Sequence, residues 1–184
     1  MPRLSKETKK EIERLSHKEL LQIVLKAASM EKSVYDYISV NFLNKEEGEK
    51  ALFEATKRKI FTLFYKNYKG RAPQLQTKNM LSESIKAVNE FTKVSKNKNY
   101  EADLLVFILD EVFSYPEDFF GTCFTGFDAK AGQIVKRLIT LVTKKLHRDY
   151  FIEYRDKINH YLNILHRQSN HVNSVYDLPE KVEL

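Results

Sequence analysis

The sequence predicts an all-α fold, either one antiparallel helical bundle or stacked helical pairs, on three observations. No stretch alternates apolar and polar residues for the length of a half-buried strand. Five Gly and four Pro in 184 residues are too few to punctuate many short strands. The longest apolar run, Leu104–Leu109, continues on both sides as an amphipathic pattern instead of ending in turn residues. Short polar links between the helical segments favour antiparallel neighbours. No strict internal repeat is present, so the stacked-pair version rests on helix pairing alone.

Taken in order, Leu4, Ile12 and Leu15 among charges mark an opening helix over Ser5–Leu15. Ser16-His-Lys-Glu19 is a capping-box pattern, in which Ser16 and Glu19 satisfy first-turn amides. It starts a helix with Leu20, Leu21, Val24, Leu25 and Ala28 on one face. That helix is either interrupted at Ser29–Ser33 or continues through Val34, Tyr35, Ile38 and Phe42. Asn44 offers a new cap, with Glu46 and Glu47 well placed in the first turn. Ala51, Leu52, Ala55, Ile60, Leu63 and Phe64 then predict a long helix to about Tyr68, and Lys69-Gly-Arg-Ala-Pro73 breaks it.

Leu81, Ile85, Val88 and Phe91 predict a helix from about Lys78 to Val94. The central segment, Tyr100–Phe113, places Leu104, Leu105, Val106, Ile108, Leu109, Val112 and Phe113 on an arc of roughly 200°. Phe107 falls among Asp103, Asp110 and Glu111, so the wet face is itself expected to be partly covered. Pro116 suits a first helical turn, and Phe119–Phe127 reads as a single turn and a loop. Cys123 in that aromatic loop reads as a buried small hydrophobe. Asp128 is placed to cap a helix holding Ile134, Leu138, Leu141, Val142 and Leu146. Another, marked by Phe151, Tyr154, Ile158, Tyr161, Leu162 and Leu165, follows a bend near Asp149 or runs on directly. Residues 1–168 are expected to form a single domain and 169–184 a tail, docked through Val175, Tyr176 and Leu178.

The early segment Ser16-His-Lys-Glu-Leu-Leu21, then Lys69-Gly70-Arg71, Ser84-Ile-Lys-Ala-Val-Asn-Glu-Phe91 and Ala102-Asp-Leu-Leu105 with Glu111 carry a resemblance. Together they span about residues 15–115 and resemble a bacterial family known as domain of unknown function 6155. The resemblance implies an all-helical bacterial protein; it brings no activity, cofactor or site residues.

Composition narrows the function classes. No window approaches the ~18 apolar residues of a membrane span, so a cytoplasmic address without a membrane partner is expected. A lone cysteine excludes a multi-cysteine zinc site, and His160, His166 and His171 do not show the i, i+4 spacing of a zinc pair. Asp103 and Asp110 share a face but stand about 10 Å apart along a helix axis, too far for one ion; a salt link to a neighbouring basic helix is expected instead. No metal and no cofactor is expected, and no nucleophile-elbow, P-loop or dinucleotide motif occurs.

The net charge of +6 matters less than its distribution. Seven basic and no acidic residues lie between Lys57 and Lys78, and seven acidic and no basic residues between Glu101 and Asp128. Two fates are open to the basic stretch: pairing with the acidic one, or a free electrostatic surface. Lys57, Arg58, Lys66, Lys69 and Arg71 interleave with Phe61, Phe64, Tyr65 and Tyr68, a pattern that single-strand binders use. The spacing of Phe61, Phe64 and Tyr68 equally fits a core-facing stripe beside a solvated basic face. Lys144, Lys145 and Arg148 belong to a second basic region, which carries eight basic and three acidic residues between Lys136 and Arg167.

Arg155-Asp-Lys-Ile-Asn-His160 is similar to the Arg–polar–spacer–His motif of the higher-eukaryote-and-prokaryote nucleotide-binding (HEPN) helical ribonucleases. That similarity implies His160 as general base and Arg155 as charge stabiliser. Five residues apart, the two project about 140° around a helix, so one cleft must be met by a bend or across the helix edge. A solvated helix face is the competing reading. The sequence therefore favours a non-enzymatic protein-interaction module whose expected contact surface is the basic, aromatic-bearing region between Lys57 and Arg71, joined by Lys144, Lys145 and Arg148, with a protein as first expected partner. RNA binding or cleavage through Arg155 and His160 is the alternative, and the oligomeric state is open.

Overall fold

The computed structural model describes residues 4–69, 72–169 and 173–183, and helix is the only regular secondary structure among them. Gly70, Arg71 and His171, all singled out above, lie outside the described residues. The chain divides into two compact units, 1–50 and 51–184.

The first unit holds α1 (Lys6–Glu13), α2 (His17–Met30), α3 (Lys32–Ile38) and a π-turn over Ser39–Leu43. Ser5 caps α1 by accepting the Thr8 amide at 3.0 Å. The Ser16–Glu19 capping box forms in full: the Glu19 amide donates to Ser16 Oγ and the Ser16 amide to Glu19 Oε2 at 2.8 Å. Of the two courses open at Ser29–Ser33 the chain takes the interruption, because Glu31 adopts an extended φ of −125° between α2 and α3. Asn44 Oδ1 then accepts the Glu47 amide and starts α4 (Lys45–Phe64), within which the division between units falls. Val40 is the one buried side chain among the described residues of this unit.

The second unit holds the rest of α4 with α5 (Pro73–Val94), α6 (Lys98–Val112), α7 (Thr125–Lys144), α8 (Arg148–Gln168) and the short α9 (Asn173–Tyr176). Cross-helix pairs set the directions. Lys59–Glu90 and Lys66–Glu83 run α4 and α5 antiparallel. Phe53 on Tyr100 and Phe64 on Phe107 run α4 and α6 parallel. Asp103 with Tyr154 and Asp110 with Tyr161 do the same for α6 and α8. Thus α4, α6 and α8 point one way, α5 and α7 the other, in an antiparallel bundle.

Helix α6 is central. Asn97 caps it by accepting two amides, and Leu104, Leu105, Val106, Ile108, Leu109 and Val112 are all buried. Phe107, on the polar side of the wheel, is half-covered by Phe64, with the Lys57 ammonium 5.2 Å from its ring centre. α5 begins five residues before the predicted Lys78, since Pro73 at its first position lacks the amide a helix start leaves unpaired. The expected cap Asp128 instead lies inside the first turn of α7, and α8 starts after a bend at His147.

The tail is part of this unit, which is why the chain does not divide at 168. Val175, Leu178 and Val182 are buried, and Asn159 both accepts the Val182 amide at 2.8 Å and donates to its carbonyl. Tyr176, expected to dock, is exposed because α9 turns it outward. Cys123 is also exposed, against its expected burial. Phe120 and Phe127 enter the core, while Gly121, at φ +68°, turns the loop between them outward.

Candidate functional site

Along α4 the predicted basic and aromatic residues separate into two faces. On the inner flank, Lys59 binds Glu90 at 2.7 Å and Lys66 binds Glu83 at 2.8 Å, while Lys57 sits over Phe107. The Lys59 hydrogen bond holds the Glu90 carboxyl below the usual glutamate range. Phe64 and Tyr68 pack against the core; burial, with the Glu83 charge nearby, pushes the Tyr68 hydroxyl up to about 12. Phe61 does not join them. It is 51% exposed and rests on Tyr65, 76% exposed, at 4.9 Å between ring centres. Arg58, which donates only to the Glu54 carbonyl, and Lys69 have no carboxylate partner among the described residues. Arg58, Phe61, Thr62 and Tyr65 follow i, i+3, i+4, i+7 spacing, a continuous outer stripe of one cation and two rings.

Lys144, Lys145 and Arg148 are exposed but lie elsewhere. Because α7 runs antiparallel to α4, they sit at the end of the bundle where α4 enters it, while Lys66 and Lys69 sit where α4 ends. The length of α7, about 30 Å, separates the two groups. The structure therefore does not bring them into one surface. Lys145 shares a groove of about 440 Å³ with Lys98, Glu101, Lys136 and Arg137.

Nor does an ion pair join the basic stretch to the acidic one among the described residues. Lys59 and Lys66 take glutamates of α5, and the acidic stretch pairs onward with α7 and α8. Glu101, 7% exposed at its side chain, takes Lys98 at 2.6 Å on one oxygen and Arg137 at 2.7 Å on the other. Arg137 also donates to Asn89 at 2.7 Å, joining α5, α6 and α7. Burial pushes the Glu101 carboxyl up, but the Lys98 and Arg137 hydrogen bonds outweigh it and hold it below the ordinary range. Asp110 takes Lys157 at 2.6 Å, the expected salt link to a basic helix, and the Tyr161 hydroxyl at 2.5 Å. One heptad earlier Tyr154 donates to Asp103 at 2.7 Å. Burial and these carboxylates raise both phenols.

Arg155 and His160 lie five residues apart on one uninterrupted helix, α8. Arg155 Nε donates to Asp156 at 3.0 Å, and the exposed His160 ring lies 6.1 Å from that of Tyr161. Among the described residues no group of three or more His, Cys, Asp or Glu side chains is arranged to hold a metal ion, and no helix is long and apolar enough to cross a membrane.

The most unusual surface is one the charge pattern does not mark. On α2, Leu21, Val24 and Leu25 are exposed, Leu25 to 62%; Met30, Tyr35, Phe42 and Leu43 follow, the last two above 70%. Leu21, Val24, Leu25 and Ala28 form one ridge of α2, and Tyr35, Ile38 and Phe42 another along α3 and the π-turn. The predicted apolar face of α2 is thus real as a face but uncovered. Apolar surface exposed in this way makes α2, α3 and the π-turn a candidate contact site.

Comparison of the chain with protein-family models, with curated proteins and with solved structures gives no match.

Proposed function

We propose that this protein is a non-enzymatic protein-interaction module whose contact face is the apolar surface of α2, α3 and the π-turn. The kinship proposed with the bacterial family named above assigns no activity, so the reading rests on the chain's own surfaces. The observation that carries it is the exposure of Leu21, Leu25, Met30, Tyr35, Phe42 and Leu43 within one short helical segment. Helical surfaces of this kind bind other polypeptides by setting i, i+3, i+4, i+7 ridges into a partner's grooves. The test is affinity capture from the native extract with the intact chain and with Leu21→Asp/Leu25→Asp. A protein retained by the first and lost from the second supports the reading. Equal retention by both refutes it.

The outer stripe of α4 favours a second reading, single-stranded RNA binding. Phe61 and Tyr65 offer exposed rings for stacking, and Arg58 and Lys69 offer charges not consumed by carboxylates. A salt titration with a fluorescent single-stranded RNA tests it, with the recovered RNA checked on a denaturing gel. Binding that weakens steeply with salt supports the stripe, and cleavage abolished by His160→Ala adds the ribonuclease role of Arg155 and His160. No binding at low salt removes both.

A further inference from the structure

We propose that the groove between the first turn of α6 and the last turns of α7 binds a small soluble molecule carrying two or more phosphoryl groups. The site lies wholly in the second unit and is independent of the α2–α3 reading. Three observations carry it: an excess of cations, two of them fixed in place, and a hollow of ligand size.

The first is charge. Lys98, Lys136, Arg137 and Lys145 line the groove against a single carboxylate, Glu101, four cations less one anion for a net of +3. Both Glu101 oxygens are already taken, one by Lys98 at 2.6 Å and the other by Arg137 at 2.7 Å. Lys136 and Lys145 are exposed and have no carboxylate within ion-pair distance among the described residues. Like charges gathered in one concavity focus a field that draws multivalent anions.

The second is fixation. Lysines on a solvated helix face move freely, but here a nearly buried carboxylate holds two of the cations side by side across the α6–α7 contact. Arg137 is pinned further by donating from Nη1 to Asn89 at 2.7 Å, so its guanidinium plane is set before any ligand arrives. Its Nε, Nη1 and Nη2 each make one bond to Glu101 or Asn89, which leaves an N–H on both terminal nitrogens for a further acceptor. A preset guanidinium beside free ammoniums is the donor set that suits phosphoryl oxygens.

The third is size. The groove's volume of about 440 Å³ falls within the ~300–1,000 Å³ of small-molecule sites. Lys136 and Lys145 stand nine residues apart, about 13 Å along the α7 axis, and their flexible stems let the ammoniums close on a ligand from the two ends of the groove. A carboxylate brings two oxygens and one charge. A phosphoryl group brings three acceptor oxygens and close to two charges near neutrality, so a molecule with two of them answers a net of +3 that a single carboxylate does not. Leu141, the one large apolar residue of the lining, is buried, so nothing there enters a bilayer and a soluble compound is favoured over a lipid.

Isothermal titration calorimetry of the full chain with pyrophosphate at low ionic strength tests the proposal. One saturable site per chain is expected, with inorganic phosphate and citrate each at least tenfold weaker. Lys136→Gln/Lys145→Gln, both at exposed positions, is expected to weaken pyrophosphate at least tenfold while the helix content stays unchanged. Arg58→Gln/Lys69→Gln removes the same charge from the outer side of α4 and its end, and is expected to change the affinity less than twofold. No saturable binding overturns the proposal, as does equal weakening by the two double variants, which marks general attraction to a basic chain. Citrate bound as tightly as pyrophosphate overturns the phosphoryl class. Single-stranded RNA, or phosphatidylcholine vesicles bearing an inositol-bisphosphate lipid, bound more tightly than pyrophosphate and lost in Lys136→Gln/Lys145→Gln, overturns the small soluble ligand in favour of that source.

Discussion

Replacing Arg137 by Met removes the guanidinium from a carboxylate that has almost no access to water. Glu101 is 7% exposed at its side chain and would keep only Lys98, itself 41% exposed. Breaking a buried pair by deleting one partner costs about 3–5 kcal/mol. The surviving Lys98 bond at 2.6 Å lowers this to about 2–4 kcal/mol. At roughly 4 °C per kcal/mol for a unit of this size, the thermal midpoint of the 51–184 unit falls by about 8–16 °C. Glu101→Leu/Arg137→Met, which removes the stranded charge as well, is expected to recover to within about 1 kcal/mol of the native chain. The pH dependence has a definite sign. The folded Glu101 carboxyl titrates below its ordinary value of 4.5, so its contribution is complete above that value and is lost as pH falls through the lower, folded one. The gap between native chain and Arg137→Met therefore narrows in acid. Urea and thermal melts followed by far-ultraviolet circular dichroism, near neutrality and in acid, measure all three quantities. A single variant within about 0.5 kcal/mol of the native chain, or a gap that widens in acid, refutes the reasoning.

Three further outcomes are expected. Asp128 is 1% exposed, and burial holds its carboxyl above the ordinary range despite the Gly121 amide at 2.8 Å, so folding is favoured at low pH and loses that favour as pH rises through the folded value. Asp128→Asn keeps the acceptor for Gly121, removes the buried charge, and is expected to raise stability at neutral pH by about 1 kcal/mol with little change in acid, read from melts across that range. Gly121→Ala places a Cβ 2.2 Å from the Gln168 carbonyl oxygen on a backbone at φ +68°, and is expected to cost about 2–4 kcal/mol in urea titration. Cys123 is exposed, so one equivalent of a thiol reagent is expected to react with the folded chain as completely as with the unfolded one, measured by mass spectrometry.

Helix positions were legible because they depend on local chemistry: the Ser16–Glu19 box, the Asn44 cap and the apolar arc of α6 all form as their spacing implies. What covers a face is a tertiary property, and there the wheel is silent. Leu21 and Leu25 look like core residues on α2 and are exposed; Phe61 keeps stripe spacing with Phe64 and yet points outward with Tyr65. Equal and opposite charge runs did not predict pairing either: α4 lies against α6 through Phe53, Phe64 and Lys57, yet Lys59 and Lys66 take the glutamates of α5. Glu101 did leave a signal. It stands four and seven residues before Leu105 and Ile108, inside the apolar arc, and an acid there implies a buried cation such as Arg137. Asp128 left none, since its partner amide comes from a loop whose turn depends on Gly121.

The central claim is that another polypeptide covers the apolar face of α2, and site-specific photo-crosslinking in the native cell tests it most directly. A benzophenone amino acid in place of Leu25 is compared with one in place of Lys93, an exposed residue of α5. The account predicts a discrete protein adduct from position 25 and none from position 93. Equal adducts from both positions, or none from position 25, would contradict it.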